Sequence, residues 1–228
     1  MAAQSTPVAA TGVVPGYAIT RVHALSTPEL AAAIVPDVLA TFLPPTAALP
    51  GYAGHVFSTH ITDPTATISL TLLADEAAAA AADQAAREYA ASLDPRFVTE
   101  TPVTDQGPLR IYQTTMRAAT QLPPFLNGCV FTMRSRRNAP GADMEAVIAK
   151  NTNGLTPMLA FMPGFVLYAW LQTADGRTAI NIWETLDQQA AGNEVVTSWV
   201  AANTAKTTTG APFVNDGVVL YADIPGFM

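Results

Sequence analysis

The chain has 228 residues, of which 50% are hydrophobic and only 13% are charged, and this composition excludes an intrinsically disordered protein. Its net charge of -7 and its two lysines, Lys150 and Lys206, provide no basic surface for a phosphate backbone, so nucleic acid is not an expected partner. The most apolar stretch, residues 157–171, is shorter than a membrane span of about 20 residues and contains a Pro-Gly pair. No basic residue precedes Arg21, which argues against a targeting signal. We therefore expect a soluble, cytoplasmic protein that does not bind a membrane.

The sequence repeats itself at a nearly constant interval. Three pairs of segments align at a shift of 112 or 113 positions: 16–20 with 128–132, 49–52 with 162–165, and 63–68 with 175–180. This regularity predicts two copies of one domain, at residues 16–118 and 119–228, after a flexible leader over residues 1–15. The linker between the copies is expected near residues 116–127, where a Pro-Pro pair occurs.

In the first copy, alternating apolar residues predict a strand over 17–25. Thr27, followed by a proline and an acidic residue, predicts the start of a helix, which Pro36 is expected to kink. A hairpin over residues 52–73 follows, then a helix over 75–92 and a short last strand.

The second copy shows the same order of elements. A strand over 129–137 precedes a helix that starts near Pro140 and is expected to end around residues 151–154. An Asp-Gly turn then joins two strands over 165–183, and a helix over 187–205 precedes a short last strand.

Each copy therefore reads β-α-β-β-α-β, the ferredoxin-like unit of the α+β class. Two helices cover only one face of such a sheet, and the other face needs a partner. The two copies are expected to supply it to each other, forming an intramolecular α/β barrel about a pseudo-twofold axis. Strands covered on both faces also account for the positive mean hydropathy of +0.24.

The second copy carries a more specific pattern: Met-Pro-Gly-Phe at 162–165, Asp-Gly at 175–176 and Asn-Ile-Trp-Glu-Thr at 181–185. In order and spacing these motifs resemble the antibiotic-biosynthesis-monooxygenase family of the dimeric α/β-barrel superfamily. The first copy resembles the family in fold only, because Thr71 is taken to stand where Trp183 stands in the second copy. The resemblance implies a small-molecule enzyme, and the superfamily contains both cofactor-free oxygenases and heme-degrading proteins.

The heme branch of the superfamily fits the sequence less well. It would call for an asparagine on the first strand and a tryptophan and a histidine on the second helix. Ser135 or Arg134 stands at the first position, and the second copy contains no histidine. Iron would therefore lack its usual axial ligand. We expect neither a heme nor another cofactor.

The cofactor-free branch implies a monooxygenase that oxidises a small polycyclic aromatic or phenolic substrate with O2. Trp183 matches the tryptophan of the third strand in that family, and Asn181 lies two residues before it on the same face. Both are predicted catalytic residues. Four further side chains are candidates for substrate binding: Tyr168, Trp170, Arg134 and Ser135.

All three histidines, His23, His55 and His60, lie in the first copy. His23 is placed at the position equivalent to Ser135 and is the candidate general base. No carboxylate or cysteine is grouped with the histidines, so no metal site is expected. Cys129 is expected to be buried and unreactive. An alternative function stays open, that of a small-molecule-binding barrel without catalysis. The oligomeric state also stays open, since the internal pseudo-dimer could form a homodimer.

Overall fold

The computed structural model describes residues 13–25, 27–94, 97, 101–115 and 126–224. Most of the predicted leader and most of the predicted linker lie outside these residues. The predicted domain boundaries therefore stay predictions, and the two halves are referred to below by their elements.

Among its described residues, the first unit contains four strands and three helices over residues 17–114. They are β1 (Tyr17–Ala24), α1 (Pro28–Asp37), α2 (Leu43–Ala47), β2 (Tyr52–His60), β3 (Ala66–Leu73), α3 (Glu76–Ser92) and β4 (Val103–Thr114). A π-helical segment, Val38–Phe42, follows the proline inside α1 and joins α1 to α2.

The second unit repeats this order over residues 130–223. Its elements are β5 (Val130–Asn138), α4 (Met144–Lys150), α5 (Thr156–Ala160), β6 (Phe165–Gln172), β7 (Gly176–Trp183), α6 (Leu186–Asn203) and β8 (Thr208–Asp223). A second π-helical segment, Asn151–Leu155, again joins the first two helices.

The eight strands form a closed barrel in the order β1-β3-β2-β8-β5-β7-β6-β4, and β4 pairs with β1 to complete the ring. Every pair is antiparallel. Within each unit the strand order is that of a ferredoxin-like sheet, and the last strand of each unit pairs with the second strand of the other. These junctions, β2 with β8 and β4 with β6, confirm the predicted α+β fold of two units sharing one barrel.

The barrel interior is filled by apolar side chains from both units. Ile68, Leu70 and Leu72 alternate along β3 on this inner face, and Ile180 and Ile182 do so on β7. All eight residues of β3 are buried, because its outer face lies under the helices. The positive mean hydropathy is therefore accounted for by strands covered on both faces.

The sequence correctly locates the starts of α1, α3 and α6. Thr27 and Asp75 accept hydrogen bonds from the backbone N–H three residues later, as N-caps do. Asp143 and Thr185 cap α4 and α6 in the same way. These four side chains therefore fix where the helices enter the layer that covers the sheet.

Three expectations about where elements begin and end are wrong. The last strands are not short, because β4 and β8 each pair with strands of both units and extend over 12 and 16 residues. The helix of the second unit begins at Met144 rather than near Pro140, and it does not end at 151–154. Gly154 lacks the positive φ of a helix-ending glycine and instead lies against Trp199, so the chain continues as a π-helical segment.

One helical stretch, Pro28–Ala47, has the length and composition needed to cross a membrane, which for a single helix is weak evidence. Ile34, Val38 and Phe42 from this stretch are buried in a cluster with Phe57 of β2. One side of the stretch therefore packs against the sheet of the first unit. Cys129 is buried, as expected.

Candidate functional site

The helix-facing surface of the first unit's sheet carries two of the histidines. Side chains alternate along β1, so Arg21 and His23 lie on the same face as Ile19, away from the barrel interior. His55 on β2 shares this face, because it pairs with Thr71, which in turn lies opposite Ile19. The pleat of three neighbouring strands therefore brings both imidazoles to one surface.

A cavity of about 300 Å³ lies between this surface and helices α1 and α3. That volume is at the lower end of the range of small-molecule pockets, roughly 300–1,000 Å³. The wall is mostly apolar and includes Leu25, Ile34, Val38, Phe42, Phe57, Ala86, Ala90, Leu93 and Phe97. The polar side chains on it include Arg21, His23, His55, Thr67, Ser69, Asp83, Arg87, Tyr89 and Thr104.

His55 is the most deeply buried polar group of the cavity, with 1% of its surface exposed. Its Nδ1 lies 3.1 Å from Thr71 Oγ1, and its Nε2 has no hydrogen-bond partner among the described residues. The imidazole stacks on Phe57 and meets the edge of Phe42. Burial, reinforced by the charge of Arg21, lowers the pKa of His55 to about 3, so the ring is neutral near pH 7.

Arg21 places a positive charge beside both histidines. Its side chain is 6% exposed, and its Nη2 donates to Asp83 Oδ1 of α3 over 2.7 Å. Asp83 also accepts from Arg87 one turn later on the same helix. Burial and then the charge of Arg21 lower the pKa of His23 to about 4, so this imidazole is also neutral near pH 7.

Helices α1 and α3 close the cavity on the side away from the sheet. The Tyr89 hydroxyl of α3 donates to Asp37 Oδ2, at the end of α1, over 2.6 Å. Burial and this bond raise the pKa of Tyr89. Next to Tyr89, α3 presents Ala86 and Ala90 to the cavity, and these small side chains leave its space open.

An acidic group lies beside His55 at the junction of the units. Asp223 of β8 pairs with His55 in the sheet and accepts a hydrogen bond from the hydroxyl of Tyr52 over 3.1 Å. Burial raises the pKa of Asp223 to about 6. His23, His55 and Asp223 therefore lie on one outer face that extends across the junction, and the burial of each favours its neutral form.

The aromatic residues predicted from the second copy lie in a packed cluster, not on the wall of this cavity. Trp183 is fully buried and Trp170 is 2% exposed. Trp183 meets Phe165 edge to face, with ring centroids 5.6 Å apart. Gly192 of α6 gives the indole its space, since a Cβ there would lie 2.1 Å from it.

Tyr168, Asn181 and Arg134 share the outer face of the second sheet with these tryptophans. The Tyr168 hydroxyl donates to Asn151 Oδ1 over 3.1 Å. Neither amide atom of Asn181 nor Nη1 of Arg134 has a hydrogen-bond partner among the described residues, although all three atoms are buried. Burial lowers the pKa of Arg134, with the charge of Asp216 opposing the shift. The site role of these residues stays a prediction.

Ser135 does not join Arg134. It lies on the opposite face of β5, where its hydroxyl donates to Asp105 Oδ2 at the barrel mouth, beside an open cleft of about 650 Å³. His23 faces the helices instead, so the predicted equivalence of His23 and Ser135 is wrong. The strands superpose at a shift of 113 rather than 112, which makes Arg136 the counterpart of His23.

The predicted equivalence of Thr71 and Trp183 is also wrong. Tyr52 pairs with Leu73 in the first unit as Phe165 pairs with Trp183 in the second, so Leu73 is the counterpart of Trp183. The same register makes Thr71 the counterpart of Asn181, and His55 that of Tyr168. The shift along this strand is 110, because the turn between strands two and three is shorter in the second unit.

Sequence reasoning missed Arg21, Asp83 and most of the cavity wall. One signal was available for Arg21 and His23, since they are two residues apart on a predicted strand and must share a face. Asp83 gave no signal, because an acidic residue on an exposed helix is ordinary. His60, the remaining histidine, accepts backbone N–H bonds within the β2–β3 turn.

No family model and no curated protein matches the chain. Solved structures do match over nearly its full length. A proposed monooxygenase from Fusobacterium nucleatum has a TM-score of 0.70 at 13% identity, covering 96% of this chain and 98% of its own. An anthrone oxidase-like protein has a TM-score of 0.63 at 17% identity, covering 96% of each chain.

A proposed monooxygenase from Lactobacillus acidophilus has a TM-score of 0.64 at 11% identity, covering 93% of this chain and 97% of its own. At these identities the likeness shows the fold alone. It agrees with the α/β-barrel architecture that the sequence resemblance implies, and the chain shares this architecture with proteins named as monooxygenases and as anthrone oxidase-like.

Proposed function

We propose that the chain is a cofactor-independent monooxygenase that oxidises a small aromatic compound, of the anthrone or phenol class, with O2 in the first-unit cavity. The observation that carries this proposal is the apolar cavity of about 300 Å³ that is lined by His55, whose Nε2 is buried without a partner among the described residues. Flat aromatic rings fit an apolar wall, and an unpartnered imidazole nitrogen is placed to exchange a proton with them.

With an anthrone as substrate, the chemistry begins at one acidic C–H bond. A neutral imidazole, of His55 or of His23, takes a proton from the CH2 group of an anthrone, leaving a delocalised enolate. The enolate gives one electron to O2, and the two radicals combine to form a C–O bond. Loss of water from the resulting peroxide leaves a ketone, so that CH2 and O2 become C=O and H2O.

The cavity has features that suit each of these reaction steps. Its apolar wall separates the enolate from water, and Arg21 supplies a fixed positive charge beside it. When Nδ1 of His55 donates to Thr71 Oγ1, the lone pair is on Nε2, the atom that faces no partner. An enolate next to the ring raises the basicity of an imidazole whose pKa is otherwise low.

O2 uptake by the purified full chain with 1,8-dihydroxyanthrone, after treatment with a chelator, tests the proposal. We expect uptake with one O2 consumed per quinone formed, and a rate at least tenfold lower for His55→Gln. His60→Gln, in the β2–β3 turn, is the control and keeps the wild-type rate. A panel of anthrones and naphthols that gives no uptake above the uncatalysed rate contradicts the proposal.

A binding protein without catalysis is the second candidate, and the low pKa values of His23 and His55 favour it, because such imidazoles are weak bases. This candidate predicts saturable binding of the same compounds without O2 consumption. Fluorescence titration beside the oxygen electrode separates the two.

A further inference from the structure

We infer that the first-unit cavity binds its aromatic ligand as an anion, with Arg21 as the counter-charge. The inference rests on the cavity that the proposed function uses, and it specifies the charge of the ligand. It requires no chemical step, so it can be tested with ligands that cannot react.

The charged side chains on the cavity wall do not cancel. Arg21 and Arg87 are two cations, and they share one carboxylate, that of Asp83. The two histidines are neutral near pH 7. Among the described residues that line the cavity, the net charge is therefore +1, in a protein whose overall charge is -7. A positive pocket in an acidic protein favours an anion over a neutral compound.

Arg21 is buried more deeply than its partner. Its side chain is nine-tenths buried, whereas its partner Asp83 is 26% exposed and draws on water and on Arg87. Removing a guanidinium from water has a cost that an opposite charge at short range offsets. Asp83 is bonded to one of the two terminal nitrogens, Nη2, and Arg21 lines the cavity, so a ligand oxygen there would be close to its charge.

The positive charge of Arg21 acts on both imidazoles. The pKa of His23 and that of His55 are lowered first by burial and then by Arg21. The charge of Arg21 opposes a proton on both rings, and the same positive charge attracts an anion in the cavity that they line. His55 Nε2, in the tautomer that carries its hydrogen, also offers the anion a donor.

The probes are 2-naphthoate and 2-naphthamide, which have the same ring and nearly the same shape but differ in charge. Neither has the acidic C–H bond that oxidation needs. Titration of the full chain at pH 7 is expected to show at least tenfold tighter binding of 2-naphthoate. Equal affinities for the two probes, or no binding of either, would overturn the inference.

Two variants assign the preference to Arg21. Arg21→Met is expected to reduce the naphthoate-to-naphthamide ratio of affinities to twofold or less, while Arg137→Met, which changes an exposed arginine of β5, leaves the ratio unchanged. An unchanged ratio in Arg21→Met overturns the inference.

Asp83→Asn keeps the shape of the side chain and provides a second test if Arg21→Met does not fold. It removes the competing carboxylate, so we expect at least threefold tighter naphthoate binding and no change for naphthamide. Asp175→Asn, at an exposed acid, is the control. Weaker or unchanged naphthoate binding in Asp83→Asn contradicts the inference.

The binding experiments can fail or succeed independently of the oxidation experiment that tests the proposed function. Arg21-dependent naphthoate binding without oxidation of any anthrone refutes the monooxygenase proposal and leaves the inference standing. Oxidation of anthrones with equal binding of both naphthyl probes does the reverse.

Discussion

The two units have the same order of elements and use the space between sheet and helices in opposite ways. In the second unit this space is filled by the indoles of Trp170 and Trp183, whose counterparts in the first unit are Phe57 and Leu73. In the first unit smaller side chains leave a cavity and surround it with charge and imidazole. Equivalent backbones therefore give one unit a core and the other a pocket, and side-chain volume decides between them.

The helices that cover the two sheets show the same contrast. The N-caps Asp75 and Thr185 align α3 with α6, so that Ala86 and Val196 are counterparts. Val196 is buried in the tryptophan cluster, whereas Ala86 lines the cavity. The unit whose sheet and helix contribute large aromatic and branched side chains is therefore tightly packed. The unit whose helix is rich in alanine contains the cavity.

The largest effect is expected when the second unit is given the residue of the first. Trp183→Leu should lower the free energy of unfolding by about 2–4 kcal/mol, because a buried indole is replaced by a smaller side chain that leaves a void. Urea denaturation measures the loss. Ligand affinity in the first-unit cavity should change less than twofold, since the indole does not line it.

That variant also tests the catalytic role that the family resemblance implies for Trp183. A rate at least tenfold lower in fully folded Trp183→Leu, at unchanged ligand affinity, would break the comparison and place chemistry in the second unit. Leu73→Ala, at the counterpart position, shows how much a loss of packing alone changes each measurement.

An intermediate effect on binding and stability is expected when phenylalanine is introduced at the same position of each unit. Ala86→Phe should fill the cavity and weaken naphthoate binding at least tenfold, with little loss of stability, because the ring enters existing space. Val196→Phe should overpack the tryptophan cluster and cost about 1–3 kcal/mol of stability, with binding unchanged. Equal destabilisation by the two variants, measured by urea denaturation, would show that the first unit has no usable space.

The fold could be predicted from the sequence because its signals are local. Caps such as Thr27 and Asp75 fix helix starts, and alternation along the strands fixes which residues share a face. The repeat then gave the topology. The long last strands were missed because their length comes from pairing across the two units, which no local pattern reports.

The candidate site was harder to predict, for two physical reasons. A cavity is produced by what side chains lack, and Ala86 and Ala90 give no signal for it. Aromatic residues such as Trp183 attract attention in a sequence, yet large apolar rings are also what fills a core. His23 was identified as a candidate base, but a single shift of 112 paired it with Ser135, although the shift between equivalent strands varies from 110 to 113.

The smallest effect concerns pH, and it too should arise from the first unit, which holds all three histidines. The pKa of His55 is about 3 and that of His23 about 4 in the folded chain, below the ordinary 6.5. Between pH 6.5 and 4 the unfolded chain therefore binds more protons at these two sites, and stability falls as the pH is lowered. Asp223 acts in the opposite direction, because its pKa of about 6 lies above the ordinary 3.8 and its contribution is lost as the pH rises from 4 to 6.

Two histidines against one aspartate leave a net slope of about one proton, or about 1.4 kcal/mol per pH unit, between pH 4.5 and 6. Urea denaturation across this range measures how the free energy of unfolding of the wild type changes with pH, and these groups should contribute that slope to it. His55→Gln should reduce it by about 1.4 kcal/mol per pH unit, and Asp223→Asn should increase it by a similar amount, because each variant removes one of the opposed groups. If both variants keep the wild-type slope, the imidazoles are already charged or hydrated in the folded chain. The first unit would then lack the dry pocket that distinguishes it from the second.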